Sequence, residues 1–339
     1  MKNPGENANR KFDKKISVVI TAHNEAEAIK DVIESLSEQK GVAIEDTEII
    51  LVDDRSIDGT SDVAKSLGVK NLQIIENSVS EKNLTSRQLA LDTGFNASVG
   101  ELTMVLDADA VPGDHWLLHN LECISDAKVD AVAGPVVFHS SENSWISDWQ
   151  TADANYYFMI SLLVNESGGA GGVFFGNFSF RSNLYEELGG FENIGFTLTE
   201  DLEFARTLNS RSRKICYSFN APVTVSACTN LSELADRTLR VASSSPSLLT
   251  YVLTAVPASL LVLLLVAISM NSQTIWLLLA CRYLLGVSFV AYATWKTAGS
   301  IYLRASLIYE PLVLLITPLV LIRAFSTRKI KWGGIAYDR

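Results

Sequence analysis

The sequence predicts an α/β fold, with a mostly parallel sheet covered by helices on both faces, followed by a C-terminal α-helical membrane region. Three observations predict it. Short apolar runs rich in β-branched residues alternate with helical stretches from Ile16 to Leu106. Carboxylates recur where strands end or helices begin: Asp53-Asp54, Asp107-Ala108-Asp109 and Glu200-Asp201. No charged residue occurs between Arg240 and Arg282, an interval that can hold a hairpin of two spanning helices.

Each element has its own signal. Ile16 to Ala22 reads as a strand, and Glu25 to Gln39 as a helix with Ile29, Val32, Ile33 and Leu36 at helical spacing. Glu48 to Val52 is a second strand. Asp58 can cap a helix that runs through Leu67 and stops at Gly68. Leu72 to Ile75, Ser86 to Ala97 and Leu102 to Leu106 follow as strand, helix and strand. Continuously apolar strands alternating with helices are buried on both faces, and ligands then bind beyond the strands' carboxyl ends.

After Pro112 the pattern is less regular. Asp130 to Phe138 is an expected strand and Ser144 to Val164 an expected helix, whose aromatic stripe (Trp145, Trp149, Tyr156, Tyr157, Phe158) fits core packing or a membrane interface. The glycine-rich stretch Gly168 to Gly176 lacks the lysine of a phosphate loop. It leaves close backbone approach to an acceptor or pyrophosphate, with Gly176 and Asn177 as candidates.

Three apolar segments follow, about Pro246 to Met270, Thr274 to Thr294 and Ala305 to Ala324. The first two are long enough to span. The third contains Glu310-Pro311 and Pro318; if it spanned, Arg323, Arg328, Lys329 and Lys331 would lie outside, against the positive-inside tendency. A re-entrant or interfacial third segment is therefore expected. Arg282 and Glu310 lie in the second and third segments, where they either snorkel separately or pair. The expected division is a polar tail (1–14), a soluble domain (15–240), a membrane region (241–324) and a basic cytoplasmic tail (325–339).

The formal net charge of the 339 residues is −10, yet after Arg240 eight Lys or Arg face two acids. The soluble part is thus strongly acidic, which excludes nucleic acid and other polyanions as partners. Met1 to Lys15 lacks an apolar core, so no cleaved signal peptide is expected. The chain then reads as an integral membrane protein of a bacterial inner (plasma) membrane with a cytoplasmic catalytic domain. Cys123, Cys216, Cys228 and Cys281 show no CxxC spacing, and His23, His115, His119 and His139 are too scattered to suggest zinc.

Five strings, in one continuous order over roughly residues 15 to 240, carry a resemblance: VVITAHNE (18–25), ILVDDRSIDGT (50–60), SRQLALDTGFNASVGE (86–101), VLDADAVP (105–112), and GGF with TEDLEFA (189–205). The chain resembles the family 2 glycosyltransferases, inverting enzymes with a GT-A nucleotide-sugar-binding domain. That resemblance implies a UDP-sugar donor, a lipid-linked or glycan acceptor, Mg2+ or Mn2+ as cofactor, and membrane lipid as surroundings.

The resemblance also implies residue roles, each with a plainer counterpart. Asp54, beside Asp53, would accept the imide N–H of uracil, although a strand-end Asp pair also forms turns. Thr21 and His23 would flank the base. Arg87 would meet phosphate or a uracil carbonyl through its planar fork, although exposed helix arginines are common. Asp107 and Asp109 form the DxD motif: Asp109 would ligate the cation, and Asp107 the ribose or the same cation. Glu200-Asp201 would supply the catalytic base, Asp201, although acids in a first helical turn also complement the dipole. Arg237-Thr238-Leu239-Arg240-Val241 stands where processive members carry a motif ending in Arg-Trp. The basic pair Arg237 and Arg240 could meet pyrophosphate or anchor the membrane edge, and the aromatic acceptor platform is absent. The end, Trp332 to Tyr337, is similar to that of several membrane-bound members. Alternatives are a processive β-glycan synthase and a catalytically silent nucleotide-sugar-binding subunit; the intact acidic motifs weigh against the latter.

Overall fold

A computed structural model describes residues 15–42, 47–77, 83–140, 144–241, 248–326, 329–332 and 335–338. The polar N-terminal tail and Arg328 lie outside the described residues, as does the side chain of Arg240. The chain separates into two compact units, Met1–Val136 with Val173–Val225, and Val137–Gly172 with Ser226–Arg339.

The first unit starts as expected: β1 (Ile16–Ala22), α1 (Ile29–Ser37), β2 (Thr47–Asp53), α2 (Thr60–Ser66), β3 (Leu72–Glu76), α3 (Ser86–Ala97) and β4 (Leu102–Asp107). β1 pairs in parallel with both β2 and β4, and β2 with β3. Val18, Val19, Ile20, Ile50, Leu51, Val105 and Leu106 are essentially inaccessible. Burial on both faces explains why these strands read as unbroken apolar runs. The register also sets the site, since it places Ala22 beside Asp53 and Thr21 beside Asp107 at one edge of the sheet.

Beyond β4 come β5 (Val111–Pro112), α4 (Trp116–Ile124), β6 (Ala131–Ala133), β7 (Val136–His139), α5 (Trp145–Glu166), β8 (Asn177–Arg181), α6 (Asn183–Glu187), α7 (Gly190–Ile194), α8 (Glu200–Ser210), β9 (Ile215–Tyr217) and β10 (Val223–Ser226). The sheet order is β3-β2-β1-β4-β8-β6-β9, with β8 antiparallel to both its neighbours, so the expected mostly parallel sheet is formed. The strand expected over Asp130 to Phe138 is two strands, β6 and β7. Gly134-Pro135 divides them, and proline has no N–H for a ladder. Phe95, Phe175, Phe178, Phe180, Phe191 and Phe204 form a buried aromatic cluster with edge and stacked contacts at 5.2 to 6.5 Å. Truncating one such ring to Ala costs about 3–5 kcal/mol.

The second unit holds α5 with α9 (Leu231–Val241), α10 (Leu248–Met270), α11 (Gln273–Ala298) and α12 (Leu303–Ser326). α5 packs against α10, α11 and α12, with Tyr156 between Phe289 and Tyr309. Trp149 and Tyr156 of its aromatic stripe are therefore helix-packing surface, whereas Trp145 is exposed. Among the described residues one helix, α11, is long and apolar enough to cross a membrane, and a shorter apolar stretch runs over Ala255–Met270. α12 continues through Glu310-Pro311 without a break, where a re-entrant turn was one expectation.

Arg282 and Glu310 do meet. Arg282 Nη2 lies 2.8 Å from Glu310 Oε1 and Nη1 3.1 Å from Oε2, a bidentate pair. The guanidinium also donates to Ser259 Oγ (3.0 Å) and to the Val256 carbonyl (2.6 Å). Gly286 makes room for this, since a Cβ there would stand 2.5 Å from Glu310 Oε2. The tail closes as a hairpin of β11 (Lys329–Trp332) and β12 (Ile335–Asp338).

Candidate active site

The loops after β1 and β2 lock to each other. Asn24 N donates to Ser56 Oγ, Ile57 N to Asn24 Oδ1, Glu25 N to Thr60 Oγ1 and Ala26 N to Asp58 Oδ2, all at 2.9 Å. Asn24 and Arg55 both adopt left-handed backbone (φ 58° and 61°), and Asn is among the residues best suited to it. The locked turn occupies Glu25 to Ala28, so α1 begins at Ile29 rather than at Glu25. Asp58 serves this cross-link and binds Thr60 N; the residue capping α2 is Gly59.

This packing gives the strand-end acids internal partners. Asp53 Oδ1 accepts from Ser56 N (2.9 Å) and Oδ2 from Ser61 Oγ, which closes the turn. Asp54 accepts from Asn77 Nδ2 (3.0 Å), Arg55 Nε (3.1 Å) and Ser86 Oγ. His23 Nδ1 lies 2.6 Å from the Asp54 carbonyl, and Nε2 lies 3.1 Å from Asn24 Nδ2. The tautomer with the proton on Nδ1 satisfies both contacts. By contrast, Thr21 Oγ1 is buried at the carboxyl end of β1 with no hydrogen-bond partner.

The start of α3 organises the other side. A capping box joins Thr85 and Gln88, and Gln88 then reaches beyond its own helix. Its Nε2 donates to the Gly195 carbonyl (2.8 Å), and its Oε1 accepts from Thr197 N (3.3 Å). Neighbouring Arg87 donates through Nε to Glu200 Oε1 (2.6 Å) and through Nη2 to Asp107 Oδ1. One guanidinium thus joins the strand-end acid of β4 to the first residue of α8. Burial would lower the Arg87 pKa, but Asp107 and Glu200 outweigh it and hold it well above the ordinary value. Asp201 follows in the same turn, with Oδ1 accepting from Leu202 N (2.8 Å).

Asp107 sits against Gly176, where a Cβ would come 2.6 Å from its Oδ2. The glycine is what lets chain and carboxylate approach so closely. Asp109 is partly exposed two residues on. Glu25 faces both: burial first, then the charges of Asp109, Asp107 and Asp58, push its carboxyl up from 4.5 to about 7, with His23 opposing. Carboxylates crowded in this way fit a hard cation, because bound positive charge relieves their repulsion. Among the described residues no three His, Cys, Asp or Glu side chains form a ready ligand set. Such an edge suits Mg2+ or Mn2+ held by one or two carboxylates together with substrate phosphates.

The structure therefore brings Thr21, Asp53, Asp54, Arg87, Asp107, Gly176, Glu200 and Asp201 to the first unit's strand ends and helix starts. Asn177 has a different duty from the acceptor contact expected of it. It is fully buried, Oδ1 accepts from Trp116 Nε1 (2.8 Å), and Nδ2 donates to the Pro135 and Ala221 carbonyls. Arg237 belongs to the second unit, with its guanidinium 4.3 Å above the Phe138 ring. Glu25 and Gln88 were not among the candidates, though each carries a signal: Glu25 ends the VVITAHNE string, and Thr85-x-x-Gln88 has capping-box spacing.

A mostly parallel sheet with acidic strand ends, faced by an acidic helix start, is the arrangement of a glycosyltransferase. Glycosyl transferase family 2 matches residues 17–189, and the chain belongs to that family. Among its relatives, Glycosyltransferase AglE of Haloferax volcanii is 29% identical over 181 residues, which cover 52% of this chain and 56% of that protein. Probable glycosyltransferase YdaM of Bacillus subtilis is 26% identical over 207 residues, 56% of this chain and 45% of its own. The match thus spans about half the length of these curated relatives. Among solved structures, the mannosyltransferase PcManGT from Pyrobaculum calidifontis, in complex with GDP-Man and Mn2+, superposes with a TM-score of 0.54 at 19% identity over 88% of each chain. That likeness speaks to the fold.

Proposed function

We propose that the protein is a membrane-anchored, metal-dependent, inverting glycosyltransferase that moves a sugar from a UDP-sugar to a lipid-linked or glycan acceptor. One observation carries the reading: Arg87 brings the DxD carboxylate Asp107 and the Glu200-Asp201 pair within one side chain of each other. The first compact unit would carry the chemistry and the second the anchor, with the catalytic unit on the cytoplasmic side.

Thr21, with its unsatisfied buried hydroxyl, is the natural contact for the nucleobase, beside the ordered His23–Asp54 turn. Asp109 and Asp107 would hold Mg2+ or Mn2+, which when bound supplies positive charge for the departing diphosphate. Asp201 takes the proton from the acceptor hydroxyl, whose oxygen attacks the anomeric carbon opposite the leaving nucleotide. A single displacement of this kind inverts the configuration. We assign the base to Asp201, as the family resemblance implies, with Glu200 paired to Arg87.

The test is transfer by purified protein in native lipids from a panel of radiolabelled UDP- and GDP-sugars, the latter because the PcManGT structure holds GDP-Man. Asp201→Asn should lower kcat by about 10² or more with UDP affinity near wild type. A parallel fall in UDP binding would place Asp201 in the nucleotide site and refute its assignment as base.

A further inference from the structure

We propose that Arg87 is a positioning residue that couples the donor carboxylate to the base-bearing helix, and that it does so without binding the nucleotide. The inference rests on the transfer reading above.

Four observations support it. The two carboxylates that Arg87 holds come from β4 and from the start of α8, residues 107 and 200, far apart in the chain. Glu200 is only 6% exposed, and Arg87 is the cation that meets its carboxylate there. The first turn of α8 is not held by its own cap, since Thr199 makes no side-chain capping bond there. The segment leading into it is instead held by α3: Gln88 grips Gly195 and Thr197, and Arg87 grips Glu200. Two adjacent residues of a helix start that is itself fixed by a capping box thus set the path of the chain into Asp201.

The chemical consequence is directional. A base must lie within hydrogen-bond reach of the acceptor hydroxyl while that oxygen lines up with the donor. Arg87 refers the base's helix to the carboxylate that serves the donor, so one side chain sets the angle between the two halves of the reaction. The fork geometry matters as much as the charge. Lysine carries its three donors on a single nitrogen, and so it cannot reach two carboxylates through separate nitrogens as Nε and Nη2 of Arg87 do.

The experiment compares Arg87→Lys, Arg87→Met, Glu200→Gln and the double variant Arg87→Met/Glu200→Gln. It reads kcat, donor KM, the Kd of UDP with Mn2+ by calorimetry, and Tm. Misplacing a base by about an ångström costs on the order of 10²-fold. Arg87→Lys should therefore lose about that factor in kcat, with UDP Kd within about 3-fold of wild type and Tm little changed. The double variant should lose no more than the worse single variant, because both remove the same strut. If Arg87→Met fails to fold, Arg87→Lys with Glu200→Gln carries the test. A rise of about 10-fold or more in UDP Kd with kcat intact at saturating donor overturns the proposal in favour of a nucleotide contact. Wild-type kcat in Arg87→Lys also overturns it while transfer itself stands. A wild-type protein that binds UDP with Mn2+ yet transfers from no nucleotide sugar refutes the transfer reading, and this inference with it.

Discussion

Removing either member of the Arg282–Glu310 pair should destabilise the helical unit, and removing both should restore most of what was lost. The pair is bidentate at 2.8 and 3.1 Å, and Glu310 is 3% exposed. Arg282→Leu leaves that carboxylate without its guanidinium, and Glu310→Leu leaves a guanidinium with only Ser259 and the Val256 carbonyl. Breaking one side of a buried pair costs about 3–5 kcal/mol, whereas replacing both partners by apolar groups is often neutral. The coupling energy should thus be about 3 kcal/mol or more, well above the error of a double-mutant cycle. Gly286→Ala perturbs the same pair with both charges present, because its Cβ would stand 2.5 Å from Glu310 Oε2. Unfolding of the detergent-solubilised protein by SDS titration, followed by circular dichroism, measures all four variants. Strictly additive losses from the two leucine replacements, or a Gly286→Ala protein as stable as wild type, would refute the reasoning.

Three further outcomes are expected. Asp109→Asn should abolish Mn2+-dependent transfer while Tm stays near wild type, and full activity in excess EDTA would contradict the cation's role. Gly176→Ala should displace the Asp107 carboxylate, so UDP·Mn2+ affinity in calorimetry should fall by about 10-fold or more; unchanged affinity would show that the loop yields. Because the fold raises the Glu25 carboxyl to about 7, the folded state binds more protons there than the unfolded one between about pH 4.5 and 7. Glu25 therefore works against stability as pH rises through that window, and the Tm difference between Glu25→Gln and wild type should grow in the mutant's favour from pH 5 to 7.5.

β1, β2 and β4 were legible because each is an apolar run buried on both faces, which makes the run itself the signal; β3, at the sheet edge, is only partly buried and was legible from its short apolar stretch. The later strands were legible only in part. The run Asp130 to Phe138 read as one strand where β6 and β7 stand apart, and Ile215–Tyr217 and Val223–Ser226 are three or four residues long, too short to show alternation; β6 finds its parallel partner β9 some eighty residues away. Asn177–Arg181 inserts antiparallel between β4 and β6, a choice made by long-range packing rather than by local propensity. The site divides in the same way. Asp107, Arg87, Glu200 and Asp201 were legible as motif residues, but which of them pair was not, since the Arg87–Glu200 bond joins positions far apart in the chain. Asn177 drew attention because an amide beside a glycine loop looks available in sequence, whereas in the fold Trp116 and two carbonyls surround it.

The membership of α5 in the second unit has a consequence for synthesis. Its buried face packs on α10, α11 and α12, yet α5 ends at Glu166 and α12 at Ser326. At about 5–20 residues per second, the ribosome needs roughly 8–30 s to deliver those partners. Until α12 emerges, Trp149 and Tyr156 lack the Tyr309 ring on which they pack. A nascent chain stalled shortly after β10 should bind holdase chaperones or a translocation site through α5, and release them only once α12 has emerged.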